Sequence, residues 1–272
     1  MAGALANAWR AAHTPFEQTP GRGERAGQTR SKRRAGEPTL WVLAVTDSAI
    51  GSVCSSLASS GLIERGDAVI HLAGMLGPDV LGAARELGAR VGAMHPLLAV
   101  ADPKQPPSLR GAAASLEGDA RLVTLVRAAM EPTGIAIHRL NRVDRVRYHA
   151  AAALCATGAI ALAQGAQALF AGAATAGAND RAIRAFVQSL LSSAAHNVMA
   201  VGPSRALASP LLRGDAAAVE SHLESMRTAP SARVLYAAAL LQVIATLESG
   251  TAVAPAVLDR ARNAAKRAIR DR

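Results

Sequence analysis

Leu40-Trp41-Val42-Leu43-Ala44-Val45, followed by Thr46-Asp47-Ser48, is the stretch that decides the fold. Six apolar residues in an unbroken run describe a strand buried on both faces, as in parallel sheets covered by helices. Thr46-Asp47-Ser48 supplies residues able to cap a helix through 50–60. Gly66-Asp67 punctuates the chain, and Ala68-Val69-Ile70-His71-Leu72 reads as the next strand. A helix over about 77–87 leads to Ala89-Arg90-Val91-Gly92-Ala93-Met94. Residues 112–116 form a further expected strand, ended by Glu117-Gly118-Asp119. A helix over 120–130 and a strand over 134–140 complete the series. Strands alternating with helices of this length predict βαβ units and a parallel sheet.

After Asn141 the pattern changes. Residues 142–173, 180–196, 215–226 and 232–248 read as helices, separated by Gly177-Ala178-Asn179, Gly202-Pro203, Ser209-Pro210 and Ala229-Pro230. The expected organisation is an α/β Rossmann-like domain over 1–141, an all-α domain over 142–249 and a basic extension over 250–272. Alanine, about a quarter of the chain against far lower average usage, suits close helix packing.

The net charge of +10 lies mostly at the ends. Residues 1–37 hold seven Lys/Arg against three acids, and residues 258–272 hold six against two. The body between them is nearly neutral, so the charge reads as solubilising ends rather than a nucleic-acid footprint. Aromatic residues, at 3%, are too scarce for a base-stacking surface. Cys54 and Cys155 are too few for a disulfide scaffold, and both lie in apolar helix-like sequence expected in the core. The long apolar stretch 148–178 contains His149, Gln164 and Gln167 and is Ala-rich, which reads as a buried helix rather than a membrane span. No metal-ligand spacing is present. The expectation is a cytoplasmic protein with no membrane and no specific nucleic-acid partner, forming a homodimer through its helical half.

A dinucleotide-binding domain usually opens with a strand, a Gly-x-Gly-x-x-Gly loop and a helix. Gly3 followed by a helical run to Ala12 resembles the third glycine and first helix of such a unit, with the strand and two glycines absent. The expected start therefore lies upstream, or the first strand has been lost. Residues 14–38 read as a Pro/Gly-rich loop, in which Arg30 and Ser31 are residue types that can hold a 2′-phosphate.

In open parallel sheets, ligands bind outside the carboxyl ends of the strands. That makes His71 and His95, each at the carboxyl end of an expected strand, candidate site residues. Arg145 and His149 are four apart, share a helix face and can present a cation and a proton donor to one ligand. Asp215 precedes an alanine run and is expected to be a helix N-cap.

Taken in order, these segments resemble the bacterial Rossmann-like family catalogued as domain of unknown function 2520. The matching stretches are residues 43–50, His71-Leu72-Ala73-Gly74, His95-Pro96-Leu97, Glu117-Gly118-Asp119 and Tyr148-His149-Ala150-Ala151-Ala152. Asn197, residues 206–215, His222-Leu223 and Leu235-Tyr236 complete the order. The helical half is similar to the C-terminal domain of 6-phosphogluconate dehydrogenase. The resemblance implies an oxidoreductase that uses NADP or NAD, with a small-molecule substrate bound between the two domains. It places Arg145, His149 and His95 as catalytic residues. Gly3, Val45, Thr46, Asp47, His71 and Gly74 would bind the cofactor, and Pro96 and Asn197 the substrate. Arg145 stands where the wider group has a lysine, Thr157 where it has an asparagine and Ser209 where it has a glycine. An arginine keeps its charge and cannot shuttle a proton. The alternative expectation is therefore a degenerate member that binds a nucleotide or small ligand without turnover.

Overall fold

The computed structural model describes residues 2–11, 38–102, 104–173, 179–248 and 253–271. The expectations for the 14–38 loop, including Arg30 and Ser31, lie outside the described residues. The chain divides into two compact units, Met1–Ala153 and Leu154–Arg272.

The first unit contains α1 (Ala2–Ala11), β1 (Leu40–Leu43), α2 (Ile50–Ser59) and β2 (Ala68–His71). There follow a short turn of 3-10 helix (Pro78–Leu81), α3 (Gly82–Glu86), β3 (Arg90–Leu97), β4 (Ala113–Glu117), α4 (Ala120–Met130), β5 (Ala136–Leu140) and the opening turns of α5 (Arg145–Ala173). The sheet runs β1-β2-β3-β4-β5. Three of the four pairings are parallel, as expected, and β3 pairs with β4 antiparallel. The reason lies in the connection. The described residues between β3 and β4 contain no helix to carry a parallel crossover.

That one reversal sets the register. Ala93 faces Glu117 and His95 faces Ser115, so the four side chains share one face of the sheet. The opposite face carries Ala68, Ile70, Met94, Ala114 and Leu116 into a core with Ala4 and Leu5 of α1 and Leu122, Val123, Val126 and Met130 of α4. Each fully buried Leu, Ile or Met here contributes about 1.5–3 kcal/mol. The first face is divided. Over β1 and β2 it is apolar, with Leu43 and Val69 packed on Ile50, Cys54, Leu81 and Ala84. Over β3 and β4 it is polar.

Asp67 pins the sheet at the start of β2. It is fully buried and accepts from the Thr39 and Glu64 amides, each at 2.9 Å, and from the Trp41 indole at 3.2 Å. Asp119 caps α4 through the Leu122 amide at 2.8 Å, a bond that satisfies one of the free donors of the first turn.

The second unit holds the remainder of α5, with α6 (Asp180–Val201), α7 (Ala216–Ser225), α8 (Pro230–Glu248) and α9 (Pro255–Arg270). Its core joins Val219 and Leu223 of α7, Leu240, Ile244 and Leu247 of α8, and Leu258, Ala261, Ala265 and Ala268 of α9. Asp215 caps α7 as expected, accepting from Ala218 at 2.9 Å. Ser209 accepts from the Leu211 amide and so starts the turn Pro210–Arg213.

Three expectations are corrected in this unit. The stretch read as a basic extension contains α9, whose small apolar residues recur at helical spacing and are buried. Its arginines occupy the remaining faces and disguise that stripe in a charge count. The helix α5, expected to be buried, has no fully buried residue; Leu154 is 75% and Ile160 58% exposed. Cys155 is exposed, whereas Cys54 is in the core. By length and composition α5 and α8 are each apolar enough to cross a membrane.

Candidate active site on the polar half of the sheet

The polar face over β3 and β4 is covered by the first turns of α5. This explains why the division between units falls inside α5 rather than before it: its opening turns pack on the sheet. Arg145 reaches down to Glu117 of β4 and forms an ion pair. One turn on, the Tyr148 hydroxyl donates to Ser115 Oγ at 2.9 Å and lies 3.2 Å from His95 Nδ1. Beside it the His149 ring sits 5.9 Å from that of His95. The helix period of 3.6 brings residues 145, 148 and 149 to one face, and the strand period of 2 brings Ser115 and Glu117 to meet them.

Arg145 is the most constrained member. Its side chain is 9% exposed, and only Nη2 is engaged, by Glu117. Nε and Nη1 are buried without a partner. An unsatisfied buried donor costs about 1–3 kcal/mol, more when charged, so these nitrogens are a standing demand for an oxygen.

His95 carries the second function. The Tyr148 hydroxyl thus sits between Ser115 Oγ and His95 Nδ1, and His95 Nε2 faces Gly74. Burial lowers its pKa first, with the charges of His149 and Arg145 acting in the same direction. Burial thus favours the neutral form of the ring. Gly74 is required for this packing. A Cβ there would lie 2.6 Å from His149 Cδ2 and 2.9 Å from His95 Nε2.

His71, expected to face a cofactor, is fully buried. Its Nε2 donates to the Gly77 carbonyl at 3.0 Å and its Nδ1 accepts from the Ala73 amide at 3.2 Å. Both ring nitrogens thus shape the turn after β2 that presents Gly74. Burial is the main cause of its lowered pKa. Val45, Thr46 and Asp47 are exposed at the carboxyl end of β1, and the Asp47 charge acts on both His71 and His95. Pro96 is buried, and strand alternation turns it to the face opposite His95. Asn197 is exposed on α6 of the second unit, and Thr157 is exposed on α5.

Gly3 lies in the first turn of α1, whose Ala4 and Leu5 are buried in the sheet core. Among the described residues, no further glycines join it to cradle a diphosphate. Thr46 and Asp47 are exposed beyond β1, and Gly74 packs against the rings of His95 and His149. Sequence reasoning missed Ser115, Glu117 and Tyr148 as site members. Their signal was the alternation of Ser115 and Glu117 on a strand that, once reversed, faces His95.

A five-stranded, mostly parallel sheet followed by a helical region is a Rossmann-like α/β fold with an all-α region after it. Residues 112–242 match the family described as Domain of unknown function (DUF2520), the family that the motifs resemble. Protein TM1727 from Thermotoga maritima is similar in structure, with a TM-score of 0.60 and 21% identity over 78% of this chain and 79% of that one. BF3122 from Bacteroides fragilis, provisionally named an NADP oxidoreductase, has a TM-score of 0.63 and 16% identity over 89% of this chain and 93% of that one. At these identities the likeness is one of fold. No curated protein matches the chain in sequence.

Proposed function

We propose that the protein is an NAD(P)-dependent oxidoreductase acting on a small substrate with an oxygen or anionic group. The buried, unpartnered Nε and Nη1 of Arg145 carry this reading. They hold the substrate oxygen, and His95 Nε2 gives or takes the proton there, with Tyr148 and Ser115 fixing its ring. A bound nicotinamide supplies or accepts the hydride. Arg145 remains charged throughout and acts by electrostatic stabilisation rather than by proton transfer. Val45, Thr46, Asp47 and Gly74 would hold the cofactor, NADP or NAD.

The decisive experiment is a fluorescence titration of NADPH and NADH into the full chain, followed by assay against a panel of carbonyl and imine acids. Saturable binding of one nucleotide with turnover of a panel member supports the reading. No binding of either nucleotide overturns it. A second reading, ligand binding without turnover, is favoured by Arg145, which keeps its charge and cannot shuttle a proton. It predicts that small carboxylates bind through Arg145 with no nucleotide requirement.

We also propose a cytoplasmic homodimer with no membrane and no specific nucleic-acid partner. Exposed Leu154, Ile160, Leu190 and Met199 on α5 and α6 support a second copy of the chain as the cover for this surface. Sedimentation of a monomer at micromolar concentration would count against it, as would partition into lipid vesicles.

A further inference from the structure

Within the first unit, an open surface cleft of about 750 Å³ has none of the clustered histidines in its lining. Arg85, Arg90, Glu117, Asp119, Arg139 and Arg142 are among the residues that line it. His95, His149, Tyr148 and Ser115 do not line it. Four arginines, Arg85, Arg90, Arg139 and Arg142, are thus among its lining residues.

Their charges are not balanced. Arg85 pairs with Asp79 at 2.9 Å and Arg90 with Asp119 at 2.6 Å. Glu117 is engaged by Arg145. Both lining carboxylates are therefore already partnered, while Arg139 and Arg142 have no ion pair among the described residues. Arg139 and Arg142 are exposed and so open to an incoming anion, which two arginines lining one cleft attract. Arg142 is also the one non-glycine residue with positive φ among the described residues, at 51°. That backbone conformation is uncommon for a residue with a side chain, and here it belongs to a residue that lines the cleft.

We propose that this cleft binds a phosphate-bearing small molecule, with Arg139 and Arg142 as its charge partners and Arg90 beside them. The lining cations are all arginine, whose planar fork matches phosphate oxygens two at a time. Two uncompensated charges suit a dianion, and the volume lies within the range of small-ligand sites. The site is independent of the oxidoreductase reading. Glu117 is the link between the two, because it lines the cleft and also holds Arg145.

The test is calorimetric titration of the full chain with sodium pyrophosphate at fixed ionic strength. The expected result is saturable binding, weakened at least tenfold in an Arg139→Ser/Arg142→Gly double variant. Glycine relieves the positive φ, so the variant's melting temperature checks that it is folded. A Lys266→Ser/Arg267→Ser variant on α9 controls for non-specific basic surface and keeps full affinity. Absence of binding, unchanged affinity in the Arg139/Arg142 variant, or loss in the α9 variant would each overturn the proposal. Citrate binding as tightly as pyrophosphate would overturn the assignment to phosphate.

Discussion

Arg145 of α5 and Glu117 of β4 form an ion pair in which one guanidinium nitrogen is satisfied and two are buried and free. Two consequences follow from that geometry, one for stability and one for ligand binding.

Replacing Arg145 by methionine keeps much of the packing volume but strands Glu117, which is 22% exposed. The loss should be about 1–3 kcal/mol, read by urea denaturation. Ligand affinity should fall at least tenfold. Arg145→Lys should restore more of the stability than of the affinity, because an ammonium cannot offer the remaining fork donors. Equal recovery of both would show that the free nitrogens play no part in binding.

Gly74→Ala should displace His149 before it unfolds the protein, since the added methyl meets imidazole atoms of His149 and His95. The expected readout is a shift of the His95 and His149 ring resonances, with Tm lowered by only a few degrees. Unchanged ring resonances would contradict the close approach.

Acid should weaken the fold through His71 and His95. Their folded pKa values lie below the ordinary 6.5, so the unfolded chain takes up protons first as pH falls. Stability is then complete above about pH 6.5 and declines below it. His71→Asn, which cannot charge, should show a shallower loss of denaturation midpoint between pH 7.5 and 5.5. An identical slope would exclude His71 as a source.

Asp67→Ala removes the acceptor for the Thr39 and Glu64 amides and the Trp41 indole. Several buried donors then go unpaired, and a loss of about 2–4 kcal/mol is expected. Asp67→Asn should recover part of it. Chemical denaturation monitored by Trp41 fluorescence measures both.

Local pattern made much of the fold legible. The run from Leu40, the Asp119 cap with the helix over 120–130, and the helices after Asn141 were all readable from residues near one another in the chain. Candidate residues at strand ends were readable in the same way, and His95, Gly74, Arg145 and His149 do come together. The α9 stripe was hidden because alanine carries little hydrophobic weight against the arginines beside it.

Sequence alone therefore determined the kinds of element, their order, the change from α/β to all-α, and the face shared by Arg145 and His149. Only the tertiary structure decided that β4 runs against β3. That pairing joins residues about twenty apart and leaves no local mark. Because strand side chains alternate with a period of two, direction and register choose the residues that face His95. They choose Ser115 and Glu117, and with them the partners of Tyr148 and Arg145.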